Sequence, residues 1–118
     1  GAVMDKPTLC LDFDGVIHSY ESGWQGVATI PDPPTPGARS FVERAMEHFR
    51  VVIFSTRCAS SEGRAAIARW LYNNDFPQLT IAKTKPPALI TIDDRALTFT
   101  GEWPELEDLL AFKPWNRA

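Results

Sequence analysis

Residues 8–16 read TLCLDFDGV, and this stretch decides the fold that the sequence predicts. Its first four residues are apolar or β-branched, which favours a short buried β-strand. Asp12 and Asp14 follow at once, and Gly15 is typical of a turn. The stretch therefore predicts a strand that ends in two acids and a glycine.

Three more apolar runs in the chain predict further strands, at residues 51–54, 79–82 and 88–92. The unbroken apolar character of the first of these runs is typical of a strand buried on both faces of a parallel sheet. Residues 96–99 are a candidate edge strand. Residues 18–35 are rich in glycine, proline and polar side chains, and they predict a long loop or a small hairpin.

The segments between the predicted strands carry apolar residues at helical spacing. Thr35 is the predicted N-cap of a first helix, with Pro36 at its first position. Ser60 or Ser61 caps a second helix, and residues 104–112 predict a third. Strands and helices that alternate in this way predict an open α/β fold with a mostly parallel sheet.

Length and composition limit the class of protein. The 118 residues fit one domain, 1–118, of ordinary size. A hydrophobic content of 44% and a charged content of 23% exclude a disordered or collagen-like chain. No apolar run reaches the roughly 18 residues that would cross a bilayer, so we expect no membrane partner. The net charge of −3 argues against binding nucleic acid over the whole surface, but it leaves room for a local basic patch.

The cysteines and the first residues bear on the cellular setting. Cys10 and Cys58 are too few for a disulfide framework in a chain of this length. Residues 1–3 precede Met4 without the basic and apolar regions of a targeting signal, so we expect them to be a cloning remnant. These features favour a reducing, cytoplasmic setting.

Polar side chains follow each of the four predicted strands. In chain order they are Asp12 and Asp14, Ser55 and Thr56, Lys83 and Lys85, and Asp93 and Asp94. Ligands of open α/β sheets bind at the carboxyl ends of the strands, so these side chains form the candidate site.

The residue types at the strand ends indicate phosphoryl chemistry. Asp12, Asp14 and one of the two acids after the fourth strand are suited to bind Mg²⁺, which needs only one or two carboxylates beside phosphate and water. Acids gathered without a metal would repel one another and lose their charge. Lys85 would offset the charge of the acids, and Ser55 would form a hydrogen bond with a phosphate oxygen.

These four polar strand ends resemble, in order and spacing, the motifs of the haloacid dehalogenase (HAD) superfamily. Residues 9–16 resemble its first motif, an apolar strand followed by D-x-D-G, and residues 51–55 resemble its second, an apolar strand that ends in Ser or Thr. Lys85 before a proline resembles the lysine of the third motif, and residues 92–94 resemble the acidic fourth motif. Each motif alone is weak, whereas the four together span nearly the whole chain.

The resemblance implies a fold. It implies a three-layer α/β/α, Rossmann-like HAD core with a mostly parallel sheet and a flap, residues 18–35, after the first strand. It also implies that the chain has no cap domain, because residues 84–87 hold no insertion and the earlier gap has room only for the flap.

The resemblance also implies a Mg²⁺-dependent phosphatase that cleaves a phosphate monoester through an aspartyl-phosphate. Asp12 would attack phosphorus, and Asp14 would protonate the leaving group and then activate water. Mg²⁺ would lie between Asp12, the main-chain carbonyl of Asp14 and Asp93. The fourth motif here is Asp93-Asp94 followed by arginine, not the commoner G-D-x-x-x-D, so the division of metal binding between these two acids stays open.

The phosphate-binding residues implied by the resemblance are Ser55, Thr56 and Lys85. Lys83 competes with Lys85 for the third-motif role, and we prefer Lys85 because it stands directly before Pro86 and the acid-bearing strand. A site without a cap favours a large phosphorylated substrate, such as a nucleic-acid end or a protein, or closure by a partner subunit. A nucleotide is a further candidate, and the net charge of −3 does not favour a polynucleotide.

Four side chains near these motifs have two interpretations each. Arg57 either contacts a substrate phosphate or is a solvated surface arginine. His18 either contacts substrate or lies on the surface. Trp24 and Tyr20 either stack on a base or aromatic leaving group, or pack within the loop.

Two alternative functions compete with the HAD-type phosphatase. Cys58 and Arg64 fit C-x5-R, the phosphate-binding loop of cysteine phosphatases, in which a thiolate attacks phosphorus. Glu62 within that loop and Ala65 after the arginine argue against this chemistry. The other alternative is a non-catalytic phosphate-binding or regulatory domain on the HAD fold.

Overall fold

The computed structural model describes residues 6–88, 90–92 and 102–110. Four strands, three helices and one 3-10 helix follow one another in these ranges. They are β1 (Thr8–Leu11), α1 (Ala38–Ala45), β2 (Arg50–Ile53), the 3-10 helix Thr56–Ala59, α2 (Ser61–Asn73), β3 (Thr80–Ile81), β4 (Ile90–Ile92) and the short α3 (Leu106–Leu110).

The four strands form one sheet in the order β3-β2-β1-β4, and every neighbouring pair is parallel. In this register Leu11 of β1 pairs with Ile53 of β2 on one side and with Ile92 of β4 on the other. The predicted α/β fold with a parallel sheet is confirmed. Because β1 is central, the residues that follow it lie between the carboxyl ends of β2 and β4.

The hydrophobic core combines alternate residues of the sheet with one face of each longer helix. Leu9 and Leu11 of β1 belong to it with their partners across the sheet. The helical contribution is Ala38, Phe41, Val42 and Ala45 from α1 and Ile67, Trp70 and Leu71 from α2. These are the apolar positions that helical spacing predicts, and burying a side chain such as Phe41 contributes about 1.5–3 kcal/mol.

The first helix does not begin where its sequence predicts. The predicted Thr35 cap is wrong, because the Thr35 hydroxyl donates a hydrogen bond to the carbonyl of Val16 at 2.7 Å and is not at the helix end. The N-cap is Gly37, at a φ of 81° that favours glycine. A Cβ atom there would also approach Cδ1 of Trp103 to 3.2 Å.

The ends of the other helices follow local signals more closely. Ser60, one of the two predicted caps of α2, accepts a hydrogen bond from the main-chain N–H of Gly63 at 3.0 Å. The third helix begins at Leu106, two residues after the predicted start at Pro104. The candidate edge strand at residues 96–99 lies outside the described residues.

Residues 18–35 form a long loop, which we call the 18–35 loop, and not a hairpin of regular strands. Its ends are joined at its base, where the N–H of Ser19 donates to the carbonyl of Pro33 at 2.9 Å. Within the loop, Ser22 donates from its hydroxyl and its N–H to the Asp32 carboxylate, at 2.6 and 2.7 Å. The indole of Trp70 in α2 donates to the Asp32 carbonyl at 3.0 Å, which fastens the loop to the helix.

Among the described ranges, no helix is both long enough and apolar enough to cross a membrane.

Candidate functional site

Asp12 is the first residue after the central strand. Its main-chain N–H donates to the carbonyl of Ile92 at 3.1 Å, which continues the β1–β4 pairing by one residue. Its half-buried carboxylate accepts a hydrogen bond from the N–H of Phe13 at 2.7 Å. The local backbone therefore holds Asp12 at the position between strand ends where parallel sheets bind ligands.

Ser55 lies two residues beyond the end of β2, on the neighbouring strand. The N–H of Phe54 donates to the Leu11 carbonyl at 3.0 Å, so the ends of the two strands advance side by side. The buried Ser55 hydroxyl accepts from the N–H of Arg57 at 3.0 Å and caps the 3-10 helix. Because the oxygen accepts in this bond, its own hydrogen is left to donate.

The remaining predicted site residues are less fixed by the fold. Thr56 opens the 3-10 helix and is exposed. Lys83 and Lys85 are both exposed in the segment after β3, and no described contact distinguishes them. Asp93 and Asp94 follow β4 in the chain and lie outside the described residues. The predicted roles of these side chains stay predictions.

Asp14 is held in an ion pair with Arg57. Nε of Arg57 donates to Oδ2 of Asp14 at 2.9 Å, and one terminal nitrogen donates to Oδ1 at 3.2 Å. The Arg57 side chain is fully buried and that of Asp14 is 17% exposed, so solvent screens this pair only weakly. The contact is a two-point pairing of a guanidinium with a carboxylate, which fixes the rotamer of the acid.

Arg57 also fastens the 18–35 loop. Its other terminal nitrogen donates to the main-chain carbonyls of Gly26 and Val27, both at 2.8 Å, and lies 3.3 Å from that of Thr29. The indole ring of Trp24 covers the guanidinium, with 4.5 Å between its centroid and Cζ of Arg57. Arg57 is therefore neither a solvated surface arginine nor free to reach a phosphate in this arrangement.

His18 is the second partner of Asp14. Its Nδ1 lies 2.9 Å from Oδ1 of Asp14, and its Nε2 accepts a hydrogen bond from the N–H of Asp32 at 3.1 Å. A main-chain N–H only donates, so these partners assign the hydrogen to Nδ1, from which it is donated to Asp14. The ring is fully buried and stacks on Phe13 at 5.6 Å, so the expectation of a surface histidine is wrong.

Arg57 and His18 are the site residues that sequence reasoning placed wrongly. Both were near the motifs. The carbonyls that bind Arg57 precede it by about thirty residues, and the N–H that binds Nε2 of His18 is that of Asp32, fourteen residues later. No local signal in the sequence marks these contacts, because they depend on the path of the 18–35 loop.

The oxygen atoms of Asp12 and Asp14 supply some, but not all, of the ligands that a magnesium ion needs. Among the described residues no group of three or more histidines, cysteines or acids is gathered as a metal site, and the two fourth-motif acids are not in those ranges. The carboxylate of Asp12 and the main-chain carbonyl of Asp14 are hard oxygen donors of the type Mg²⁺ prefers. The carboxylate of Asp14 is already paired with the Arg57 guanidinium. A magnesium ion here would therefore use the carbonyl of Asp14, which is the ligand that the HAD resemblance implies.

Cys58 does not have the surroundings of a reactive thiol. It is fully buried, and burial raises the pKa of the Cys58 thiol above its ordinary value. Arg64 donates to the Cys58 main-chain carbonyl at 2.7 Å, and the sulfur accepts from the N–H of Ser55 at 3.4 Å. A cysteine phosphatase needs a thiolate with a lowered pKa, so these contacts disfavour the C-x5-R alternative.

A groove of about 450 Å³ lies elsewhere, between the last turns of α2 and the segment that enters β3. Leu71, Tyr72, Phe76 and Leu79 are among the residues that line it. The lining extends to Ile81 of β3, so the groove lies at the β3 edge of the sheet, two strands away from β1 and Asp12.

No protein-family model, curated protein or solved structure matched this chain in the three comparisons with known proteins.

Proposed function

We propose that the chain is a Mg²⁺-dependent phosphohydrolase of the HAD type, which cleaves a phosphate monoester through an aspartyl-phosphate. The observation that carries the proposal is the position of Asp12, at the carboxyl end of the central parallel strand and beside the end of β2, which leads to Ser55. The finer features of the proposal are a three-layer core, the 18–35 loop as a flap, and no cap domain.

In the first step, a carboxylate oxygen of Asp12 attacks phosphorus, and the bond from phosphorus to the ester oxygen breaks. The leaving oxygen takes a proton from Asp14. In the second step, water attacks the phosphoryl group and gives its proton to Asp14, which releases phosphate and restores the Asp12 carboxylate. Ser55 and Lys85 would bind the transferring phosphoryl oxygens.

The ion pair with Arg57 suits Asp14 to the second of these steps, in which an ionised carboxylate takes a proton from water. For the first step Asp14 would take a proton from solvent, to which its side chain is 17% exposed. Mg²⁺ bound by Asp12 and the Asp14 carbonyl would reduce the repulsion between the attacking carboxylate and the phosphate.

Asp12→Asn tests the proposal directly, with hydrolysis of p-nitrophenyl phosphate as the measurement. We expect turnover by the wild-type chain in Mg²⁺, loss of turnover in EDTA, and a fall to the background rate in the variant. Asp75→Asn is the matched control, because Asp75 is exposed at the end of α2 and its φ of 63° is one that asparagine tolerates. Wild-type turnover by Asp12→Asn would overturn the proposal.

Two further arms separate the alternatives. Lys85→Ala should damage turnover more than Lys83→Ala, and the reverse order would move the third motif to Lys83. Activity without metal that is lost in Cys58→Ser would favour the cysteine phosphatase. No turnover of any phosphate ester, together with no rise in melting temperature on adding beryllofluoride and Mg²⁺, would favour a non-catalytic binding domain.

A further inference from the structure

Trp24 is a large aromatic side chain that the described fold leaves half in solvent. It is 53% exposed, whereas Trp70 of α2, whose indole binds the Asp32 carbonyl of the 18–35 loop, is buried. Of the two aromatic residues that the sequence offered for stacking in this loop, Tyr20 packs edge-on against His18, with 6.0 Å between ring centroids. The structure thus separates the two: Tyr20 packs within the loop, and Trp24 presents ring surface to solvent.

One face of the indole is anchored at the candidate site. That face covers the guanidinium of Arg57 at 4.5 Å, and the same guanidinium binds the Asp14 carboxylate. A single buried group therefore separates the ring from the candidate acid. Since one face is covered and the side chain is half exposed, the exposed surface includes the opposite face of the ring.

The ring is also held in place before any ligand arrives. Arg57 donates to the carbonyls of Gly26 and Val27, which fixes the backbone just after Trp24. The cation–π contact fixes the ring itself. A rigid aromatic surface loses little conformational entropy when a flat ligand stacks on it.

We propose that Trp24 is a stacking platform for a planar aromatic group on the substrate, so that the preferred esters are phosphates of nucleosides or of aryl alcohols. The proposal rests on the proposed phosphohydrolase function and names its substrate class. Stacking is the suitable interaction because it needs a flat ring and no particular hydrogen-bonding pattern. An aliphatic or sugar phosphate has no flat face to present to the indole.

The test compares substrate preference in Trp24 variants. The measurement is kcat/KM for a nucleoside monophosphate and for phenyl phosphate, each divided by kcat/KM for glycerol phosphate. We expect Trp24→Ala to lower both ratios by about tenfold, near the weaker end of the range for aromatic stacking. Trp24→Phe should keep both ratios within about threefold of wild type, because phenylalanine retains a flat ring.

Tyr72→Ala is the control for loss of an exposed aromatic. Tyr72 is 82% exposed on α2, beside the groove at the β3 edge of the sheet, and its removal should leave the ratios as they are. A fall in only the nucleoside ratio would identify a nucleobase as the ligand, and a fall in only the phenyl ratio would identify an aryl ester. If Trp24→Ala leaves both kcat/KM ratios unchanged, the proposal that Trp24 is a stacking platform is overturned.

A binding measurement keeps the two proposals distinguishable. Free adenosine and phenol are titrated into the Asp12→Asn chain, and the indole N–H signal of Trp24 is followed by NMR after assignment with Trp24→Phe. A saturable shift of that signal supports the platform even if no phosphate ester is turned over, in which case only the proposed function fails. No shift with either compound overturns the platform even if the chain is a phosphatase.

Discussion

Replacing Arg57 with methionine removes the guanidinium and keeps most of the apolar stem of the side chain. The substitution leaves the Asp14 carboxylate, only 17% exposed, without its buried cationic partner. It also leaves the carbonyls of Gly26 and Val27 without their donor. Removing one member of a buried ion pair costs about 3–5 kcal/mol.

The lower end of that range applies here, because the Asp14 side chain and the loop carbonyls can gain water once the guanidinium is gone. We therefore expect Arg57→Met to lower the free energy of unfolding by about 3 kcal/mol and the melting temperature by about 10 °C. Urea unfolding followed by circular dichroism measures the first quantity. Arg69→Met is the matched control, since Arg69 is exposed on α2 and a surface substitution stays within about 0.5 kcal/mol.

A double-mutant cycle with Asp14→Asn tests whether the ion pair is the cause. If the two side chains stabilise each other, the double variant loses less free energy of unfolding than the two single variants lose in sum, and we expect the difference to be at least about 1 kcal/mol. If the free energy of unfolding of Arg57→Met lies within about 1 kcal/mol of the wild-type value, the reasoning is refuted, because an exposed ion pair contributes no more than that. Strict additivity in the cycle would show that Arg57 stabilises the fold through the loop carbonyls alone.

Two further predictions concern close packing and pH. Gly63→Ala should lower the melting temperature, because its Cβ would clash with the main-chain carbonyl oxygen of Arg57, and overpacking of this kind costs about 1–3 kcal/mol. An unchanged thermal melt would contradict the contact. The hydrogen bonds that the hydroxyl and the main-chain N–H of Ser22 donate hold the pKa of the Asp32 carboxyl below its ordinary value. The stabilisation from Asp32 is thus complete above its ordinary pKa and is lost as the pH falls through the lowered value. The difference in melting temperature between wild type and Asp32→Asn should therefore shrink once the pH falls below the ordinary aspartate pKa, and a difference independent of pH in that acidic range would refute this.

The parallel sheet and the position of Asp12 were predictable because both depend on local pattern. Four apolar residues followed by acids predict a buried strand with a polar end, and β1 has those bounds. The Ser60 cap was one of two local options, and its partner lies only three residues away. Features that depend on residues only a few positions apart can be predicted from the sequence.

The errors share the opposite property, which is dependence on distant partners. Thr35 has the residue type of an N-cap, but its hydroxyl donates to the carbonyl of Val16, nineteen residues earlier. Arg57 has the residue type of a phosphate ligand or a surface charge, and its role is set by Asp14, forty-three residues earlier. Only the path of the 18–35 loop across the strand ends brings these groups together, and no periodicity in the sequence encodes that path.

Burying the Arg57 guanidinium requires a reason, because removing a charge from water costs several kcal/mol before its partners compensate. A hydrophobic side chain would fill the same space between the loop and the 3-10 helix without that cost. Such a side chain would not pair with Asp14, donate hydrogen bonds to two loop carbonyls or support the Trp24 ring, whereas the one guanidinium makes all three contacts. If Asp14 serves the proposed chemistry, its carboxyl group has to remain beside a largely buried loop, and Arg57 is the group that makes this arrangement stable when the carboxyl is ionised. The same contact then determines where the loop lies, so the orientation of the acid and the surface offered to the substrate are fixed together.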